Sequence, residues 1–291
     1  MDNKQTVTVR ASSWGSLFDC AHAWEGVHIL GMRKPAGLRA ALGTAVHAST
    51  AANDQARLDG NPLRPDETAD VMVDTLRHPE QEVDYSADDL TVDEAERIGL
   101  ALHARYCTEI APRFEYTAVE MKLDPFQIDC GGNIIVRLTG SMDRARVART
   151  EGGIAIPDIK TGSRIVEKGT VNLRGKAAQL GTYQMLYENT TGERTIGGQI
   201  IALPTSGKAQ PMVSPLFDAR CVMVGTEDQP GLIEYAAEMF RAGLFPPIPN
   251  RSCARQSTAR DGRPACFTNE SRRTYVHHHH FRSEERSPCT A

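Results

Sequence analysis

Asp143, Asp158 and Lys160 are the residues whose types and spacing could do chemistry together. Two carboxylates and an ammonium on one sheet face can hold a hard divalent cation and direct a water at a phosphodiester. They sit in Gly140-Ser141-Met142-Asp143-Arg144 and in Pro157-Asp158-Ile159-Lys160-Thr161-Gly162, with Glu151-Gly152-Gly153 between. That order reads as a β-hairpin turning through its glycines. With Glu151-Gly152 as a two-residue loop, Asp143 opposes Lys160 and Asp158 opposes Ala145. Positions two apart on a strand share a face, so Asp158 and Lys160 project together. Cross-strand neighbours lie about 5 Å apart, close enough for the three head groups to converge. Ile154 and Ile156 share the face of Asp158. The carboxylate therefore ends an apolar run, where a charge needs a partner or a metal. The competing reading is an ordinary surface Asp–Lys pair.

Further groups lie elsewhere in the chain. Gly43-Thr44-Ala45-Val46-His47 falls in an otherwise apolar helical pattern. A lone helix histidine is more often structural than functional. Glu120 stands in the apolar strand pattern Ala118-Val119-Glu120-Met121. Gln179 and Tyr183 are four apart on a predicted helix and share a face. Thr161-Gly162 follows the second hairpin strand, where a glycine turn lets backbone approach a phosphate.

The elements that must position these groups are predicted as follows. Residues 1–110 read mainly as helices: one from Ser13, as its cap, through His28, then 38–58, 66–77 and 91–110, the last capped by Thr91. Residues 78–90 read as a polar loop. Strands follow over 116–123 and 133–138, then the hairpin. A helix covers 173–188, a strand 196–203, a loop 204–215 with room for a short strand, and a helix 228–242 ended by Gly243. The expected fold class is α/β with a mixed sheet and an N-terminal helical region. The expected division is a domain over 1–250, helical to 110 and α/β after it, with a tail over 251–291.

Composition narrows the class without deciding it. The chain has 291 residues, 40% hydrophobic, with a net charge of −4. No apolar run is long enough for a bilayer, and no signal peptide opens the chain, so a cytoplasmic protein without membrane contact is expected. Residues 251–291 carry eight Arg against Asp261, Glu270, Glu284 and Glu285, a net of +4. Acids cluster over 66–96, while Arg164, Lys168, Arg174 and Lys176 form a local basic strip near the hairpin. Such a strip suffices for phosphate contact despite an acidic total. The tail has few aliphatic residues and four consecutive histidines, His277 to His280. It is expected to be poorly ordered or stapled by metal.

The ordered set Gly-x-x-x-His, an acid on a strand, Gly-x-x-Asp-Arg, Asp-x-Lys-Thr-Gly and Gln-x-x-x-Tyr resembles the PD-(D/E)XK nucleases of the RecB type. That group includes the RecB and AddB nuclease domains, CRISPR-associated RecB-like exonucleases and phage exonucleases. The resemblance runs from about Trp14 to Tyr187. It implies a restriction-endonuclease-like core and a metal-dependent DNA exonuclease acting in recombination, repair or phage DNA metabolism. It implies that His47, Asp143, Asp158 and the Ile159 carbonyl hold Mg²⁺ or Mn²⁺, with Glu120 a further catalytic acid. Lys160 would orient and help deprotonate the attacking water. Gln179 and Tyr183 would brace the site and contact the DNA backbone, beside Lys176, and Arg144 would meet a phosphate or the neighbouring acids. A histidine ligand would favour Mn²⁺. No Gly-x-x-x-x-Gly-Lys-[Ser/Thr] motif occurs, so a helicase or recombinase would be a partner subunit. The cell interior of a bacterium or of a phage host is the implied location. The alternatives are an endonuclease of the same fold and an inactive DNA-binding module; a pure binder has no need of Lys160.

Many members of that group also carry a 4Fe-4S cluster, held by one N-terminal and three C-terminal cysteines. Cys20-Ala21-His22-Ala23-Trp24 matches the N-terminal setting except that Ala21 stands where Pro is usual. Cys253, Cys266 and Cys289 are the C-terminal candidates, spaced more widely than the group's tight set. The alternatives are a packed Cys20 with free tail thiols, or zinc bound by tail Cys and His.

Overall fold

The computed structural model describes residues 4–206 and 210–247. In chain order its first half holds β1 (Gln5–Arg10), α1 (Trp14–Asp19), α2 (Ala21–His28), β2 (Ala36–Gly37), α3 (Leu38–Leu58), α4 (Pro65–Arg77), β3 (Val83–Asp84) and α5 (Val92–Arg105). A π-helical turn, Tyr106–Ile110, extends α5. Then come β4 (Glu115–Lys122), β5 (Phe126–Asp129), β6 (Ile134–Thr139), β7 (Ser141–Ala148), β8 (Gly153–Gly162), β9 (Val166–Glu167) and β10 (Thr170–Val171). The chain continues with α6 (Ala177–Thr191), β11 (Thr195–Pro204), β12 (Met212–Val213), α7 (Arg220–Val224) and α8 (Leu232–Ala242). These elements form two compact units. One takes the described parts of Met1–Arg33, Pro125–Thr139 and Cys221–Ala291; the other takes Lys34–Asp124 and Gly140–Arg220.

The larger unit is built on a five-stranded sheet in the order β12-β11-β8-β7-β4. Only β11 and β8 run parallel; the other neighbours are antiparallel. The sheet is therefore mixed, and it is covered by helices. Strand alternation assigns the two faces. Ile159, Ile201 and Leu203 pack into a core with Leu38, Leu42 and Val46 of α3 and with α4 and α5. Ile200 and Ala202 point the other way, onto Leu180 of α6. Residues Ala178–Tyr187 of α6 are all buried. A two-faced apolar strand such as β11 is what a central parallel strand requires. Thr91 caps α5 by accepting from the Glu94 N–H, and Glu94 returns the bond to the Thr91 N–H.

The smaller unit has a three-stranded sheet, β1-β6-β5, with β1 parallel to β6. Trp24 of α2 stacks on Phe240 and Phe245, with ring centroids 5.7 and 6.3 Å away. Gly243 ends α8 at φ +60, a left-handed turn that glycine takes at little steric cost.

Several expectations need correction. The segment 13–28 is two helices broken at Cys20, whose φ −154 and ψ 92 are extended. Ser13 does not cap; its hydroxyl donates to the Arg10 carbonyl. The N-terminal region also holds a strand, β1, whose Val7 and Val9 are buried. The strand over 133–138 does not join the hairpin's sheet; it is β6, between β1 and β5. The later helices begin four residues after their predicted starts, at Ala177 and Leu232.

Candidate active site

The site forms where β7 and β8 part. The strands pair only over Arg146–Ala148 against Gly153–Ala155. The turn is therefore the four residues Arg149 to Gly152, closed by Gly152 N–H to the Ala148 carbonyl at 2.7 Å. This corrects the predicted two-residue loop. The register moves by two positions, so Asp143 comes opposite Asp158 rather than Lys160. A shift of two keeps every side chain on its face, and the convergence survives. Further along, the Asp143 carboxylate replaces a strand carbonyl and accepts the Ile159 N–H at 2.7 Å.

Asp158 is 1% exposed. The Lys160 ammonium donates to Asp158 Oδ1 at 2.9 Å, and Gln179 Nε2 donates to the same oxygen at 3.3 Å. Gln179 also donates to the Tyr183 hydroxyl at 3.0 Å. Lys160 lies 2.8 Å from Oδ2 as well, but outside hydrogen-bond geometry, so Oδ2 is buried without a donor. Burial, reinforced by Asp143, pushes the Asp158 carboxyl up to about 6 against the pull of Lys160.

His47 arrives from α3. A side chain at Gly43, one turn earlier, would come within 3.1 Å of Thr161 Oγ1, so glycine lets α3 lie close against β8. His47 Nδ1 lies 3.4 Å from Asp143 Oδ2. Burial alone would lower the His47 pKa, and the Asp143 carboxylate more than reverses it. Burial alone would raise Asp143, but His47, Lys160 and Arg144 outweigh it and hold the carboxyl below its ordinary range. Glu120 lies between the paired positions Val119–Arg144 and Met121–Met142, opposite Asp143. Its φ of +46 is unusual for a non-glycine residue in a strand and marks local strain. Burial and the Asp143 charge raise the Glu120 pKa, opposed by Arg144.

The ligand atoms of His47, Glu120 and Asp143 all lie within 4.8 Å of one another. One imidazole nitrogen and two carboxylates suit Mg²⁺ or Mn²⁺. The donorless Asp158 Oδ2 is a further acceptor that a cation would satisfy. The residues present thus fit a divalent ion. Of the predicted ligands, His47 and Asp143 meet with Glu120, while Asp158 forms the adjoining pair with Lys160. Gln179 and Tyr183 lie in the same cluster. Lys176, at the start of α6, has its pKa lowered by burial and then by Lys160.

Of the two roles expected of Arg144, the structure shows the one with neighbouring acids, Asp54 and Glu120. The residue is fully buried and cannot meet a phosphate from solvent. Its Nε donates to Asp54 Oδ2 at 2.7 Å, and its Nη1 to Glu120 Oε1 at 3.0 Å and to the Asp143 carbonyl at 2.7 Å. Sequence reasoning missed Asp54. The available signal was an acid two helical turns after His47, inside an apolar pattern. Cys20 is buried, while Cys253, Cys266, Cys289 and the histidine tract lie outside the described residues. No helix among the described residues is long and apolar enough to cross a membrane.

No curated protein matches the chain. The model of the PD-(D/E)XK nuclease superfamily matches residues 11–257. This span contains the parted hairpin, its acids and its lysine, and the chain belongs to the PD-(D/E)XK nuclease superfamily.

Proposed function

We propose that the protein is a metal-dependent DNA exonuclease of the RecB type. The observation that carries the reading is the meeting of His47, Glu120 and Asp143 beside the buried Asp158–Lys160 pair. His47, Asp143 and Asp158 hold Mg²⁺ or Mn²⁺, with Glu120 as a further acid and the Ile159 carbonyl as a backbone ligand. When bound, the ion supplies Lewis acidity to the phosphodiester and makes water a stronger nucleophile. Lys160, fixed by Asp158, orients the water and offsets charge developing on the phosphate. Gln179 and Tyr183 keep the Asp158 carboxylate in place. Lys176 takes a DNA phosphate, which makes binding salt-dependent and nearly indifferent to sequence. A helicase or recombinase subunit is the proposed partner, in recombination, repair or phage DNA metabolism inside the cell.

Cys20 is the candidate N-terminal thiolate of a 4Fe-4S cluster, the alternative being a packed core cysteine. The His22 N–H donates to the Pro246 carbonyl at 3.4 Å, which places Pro246 at the start of α2. Iron analysis of anaerobically purified protein tests the cluster: about four irons per chain supports it, and iron-free active protein excludes it.

The mode of cleavage is tested with end-labelled linear DNA and covalently closed circular DNA in Mn²⁺. An exonuclease degrades the first and spares the second. Cutting of both equally makes the protein an endonuclease of the same fold.

A further inference from the structure

Asp54 is 0% exposed and lies on α3, away from solvent. A buried carboxylate at such a position needs full compensation. It has three donors: Arg144 Nε at 2.7 Å, the Tyr106 hydroxyl at 2.6 Å, and Asn53 Nδ2, which reaches Oδ1 at 3.1 Å. The Tyr106 hydroxyl also meets the Tyr116 hydroxyl at 2.9 Å. Tyr106 opens the π-helical turn after α5. Such turns re-aim one side chain within a helix and recur at functional sites.

The other arm of Arg144 leaves this core and reaches the site. Nη1 bonds both Glu120 Oε1 and the backbone carbonyl of Asp143. The guanidinium is planar, so fixing Nε fixes the direction of Nη1. Glu120 would otherwise be loose, because its side chain is 48% exposed and its backbone is strained at φ +46. A half-exposed glutamate on a strained strand gains a single orientation from this bond.

We propose that Asp54 and Tyr106 are positioning residues, which set the Arg144 guanidinium so that it tethers Glu120 beside His47 and Asp143. They touch neither metal nor substrate. They act through Arg144, and the inference rests on the metal site described above. Arg144 is one bond removed from Glu120, and groups so placed typically change metal affinity by about 10- to 100-fold when altered; Asp54 lies two bonds away and Tyr106 three.

The test is calorimetric titration of the full chain with Mn²⁺ alone, without DNA. Tyr106→Phe removes one hydroxyl and keeps the ring. Acting through Asp54 and Arg144, it should weaken Mn²⁺ binding by about 3- to 10-fold, and Glu120→Gln by about 10- to 100-fold. The double variant should bind little more weakly than Glu120→Gln, because the tether set by Tyr106 ends mainly on that carboxylate. Asp54→Asn is a stronger change, but it leaves the Arg144 charge without its buried partner and can unfold the chain. Tyr106→Phe therefore decides. Unchanged Mn²⁺ affinity in Tyr106→Phe, or the same loss with and without Glu120→Gln, would make Asp54 and Tyr106 core residues only. Absence of Mn²⁺ uptake by the unaltered protein would overturn the metal site itself, and the tether with it.

Discussion

Asp143 and Asp158 face each other across the parted strands β7 and β8, both buried, and their surroundings drive them apart. Asp143 is met by the His47 imidazole, the Ile159 N–H and the nearby Arg144, and stays ionised well into acid. Asp158 is met by one ammonium and one amide, and burial with the Asp143 charge pushes it up to about 6. The lesson is that burial does not fix a carboxylate's state; the donors that come with it do. One acid is held as an anion well into acid, and the other takes up a proton at a higher pH.

The largest expected effect comes from removing either acid. Asp143→Ala and Asp158→Ala should each lower DNA cleavage by about 10³-fold or more, measured on linear DNA in Mn²⁺. Near-full activity in either variant would break the comparison, because the two acids would then not form one site.

Next in size is Arg144. It forms a fully buried ion pair with Asp54. Removing one partner leaves an uncompensated buried charge, so Arg144→Ala should destabilise the fold by about 3–5 kcal/mol in denaturant titration. A loss near zero would mean that Asp54 is accommodated by its tyrosine and asparagine donors alone.

The pH dependence separates the acids by sign. Asp143, with a lowered pKa, contributes stability that is present above the ordinary carboxylate range and lost as the pH falls below it. Asp158, with a raised pKa, contributes stability below that range which is lost as the pH rises through about 6. Below about pH 6 Mn²⁺ must displace the Asp158 proton, and that of His47 where it is protonated, but none from Asp143. Mn²⁺ affinity should therefore rise with pH up to about 6 and beyond, with proton release detectable in buffers of different ionisation enthalpy. A pH-independent affinity between pH 5 and 7 would contradict the assignment (the interval is about one unit either side of that pKa).

The smallest effect is at Arg149, whose pair with Glu115 is exposed on both sides. Arg149→Ala should shift the melting temperature by about 2 °C or less. A large shift would show that the turn, and not the buried network, holds the hairpin.

What was legible in the sequence was local. The helix over 38–58 matches α3 residue for residue, because its apolar spacing and flanking residues lie within the segment itself. The capping box at Thr91 is readable for the same reason. The union of Asp143, Asp158 and Lys160 survived a register error because the error was even. The β1 strand was not read, although Val7 and Val9 alternate, because its partner β6 lies far along the chain. The break at Cys20 was hidden by helical spacing that continues across it. The sequence left Arg144 open between a phosphate and the neighbouring acids, because its partner Asp54 lies 90 residues earlier and long-range pairing leaves no local mark. The Glu120 strain depends on the ladder around it and could not be read from its neighbours.

The central claim is that Asp158 and Lys160 serve a metal-dependent cut at the parted hairpin. Its most direct test is cleavage of end-labelled linear DNA by the unaltered protein and by Lys160→Ala, each with Mn²⁺ and with excess chelator. The account predicts cleavage by the unaltered protein in Mn²⁺ alone, none in chelator, and none by a Lys160→Ala variant that remains folded. Cleavage that persists in chelator, or a folded Lys160→Ala variant as active as the unaltered protein, would contradict it.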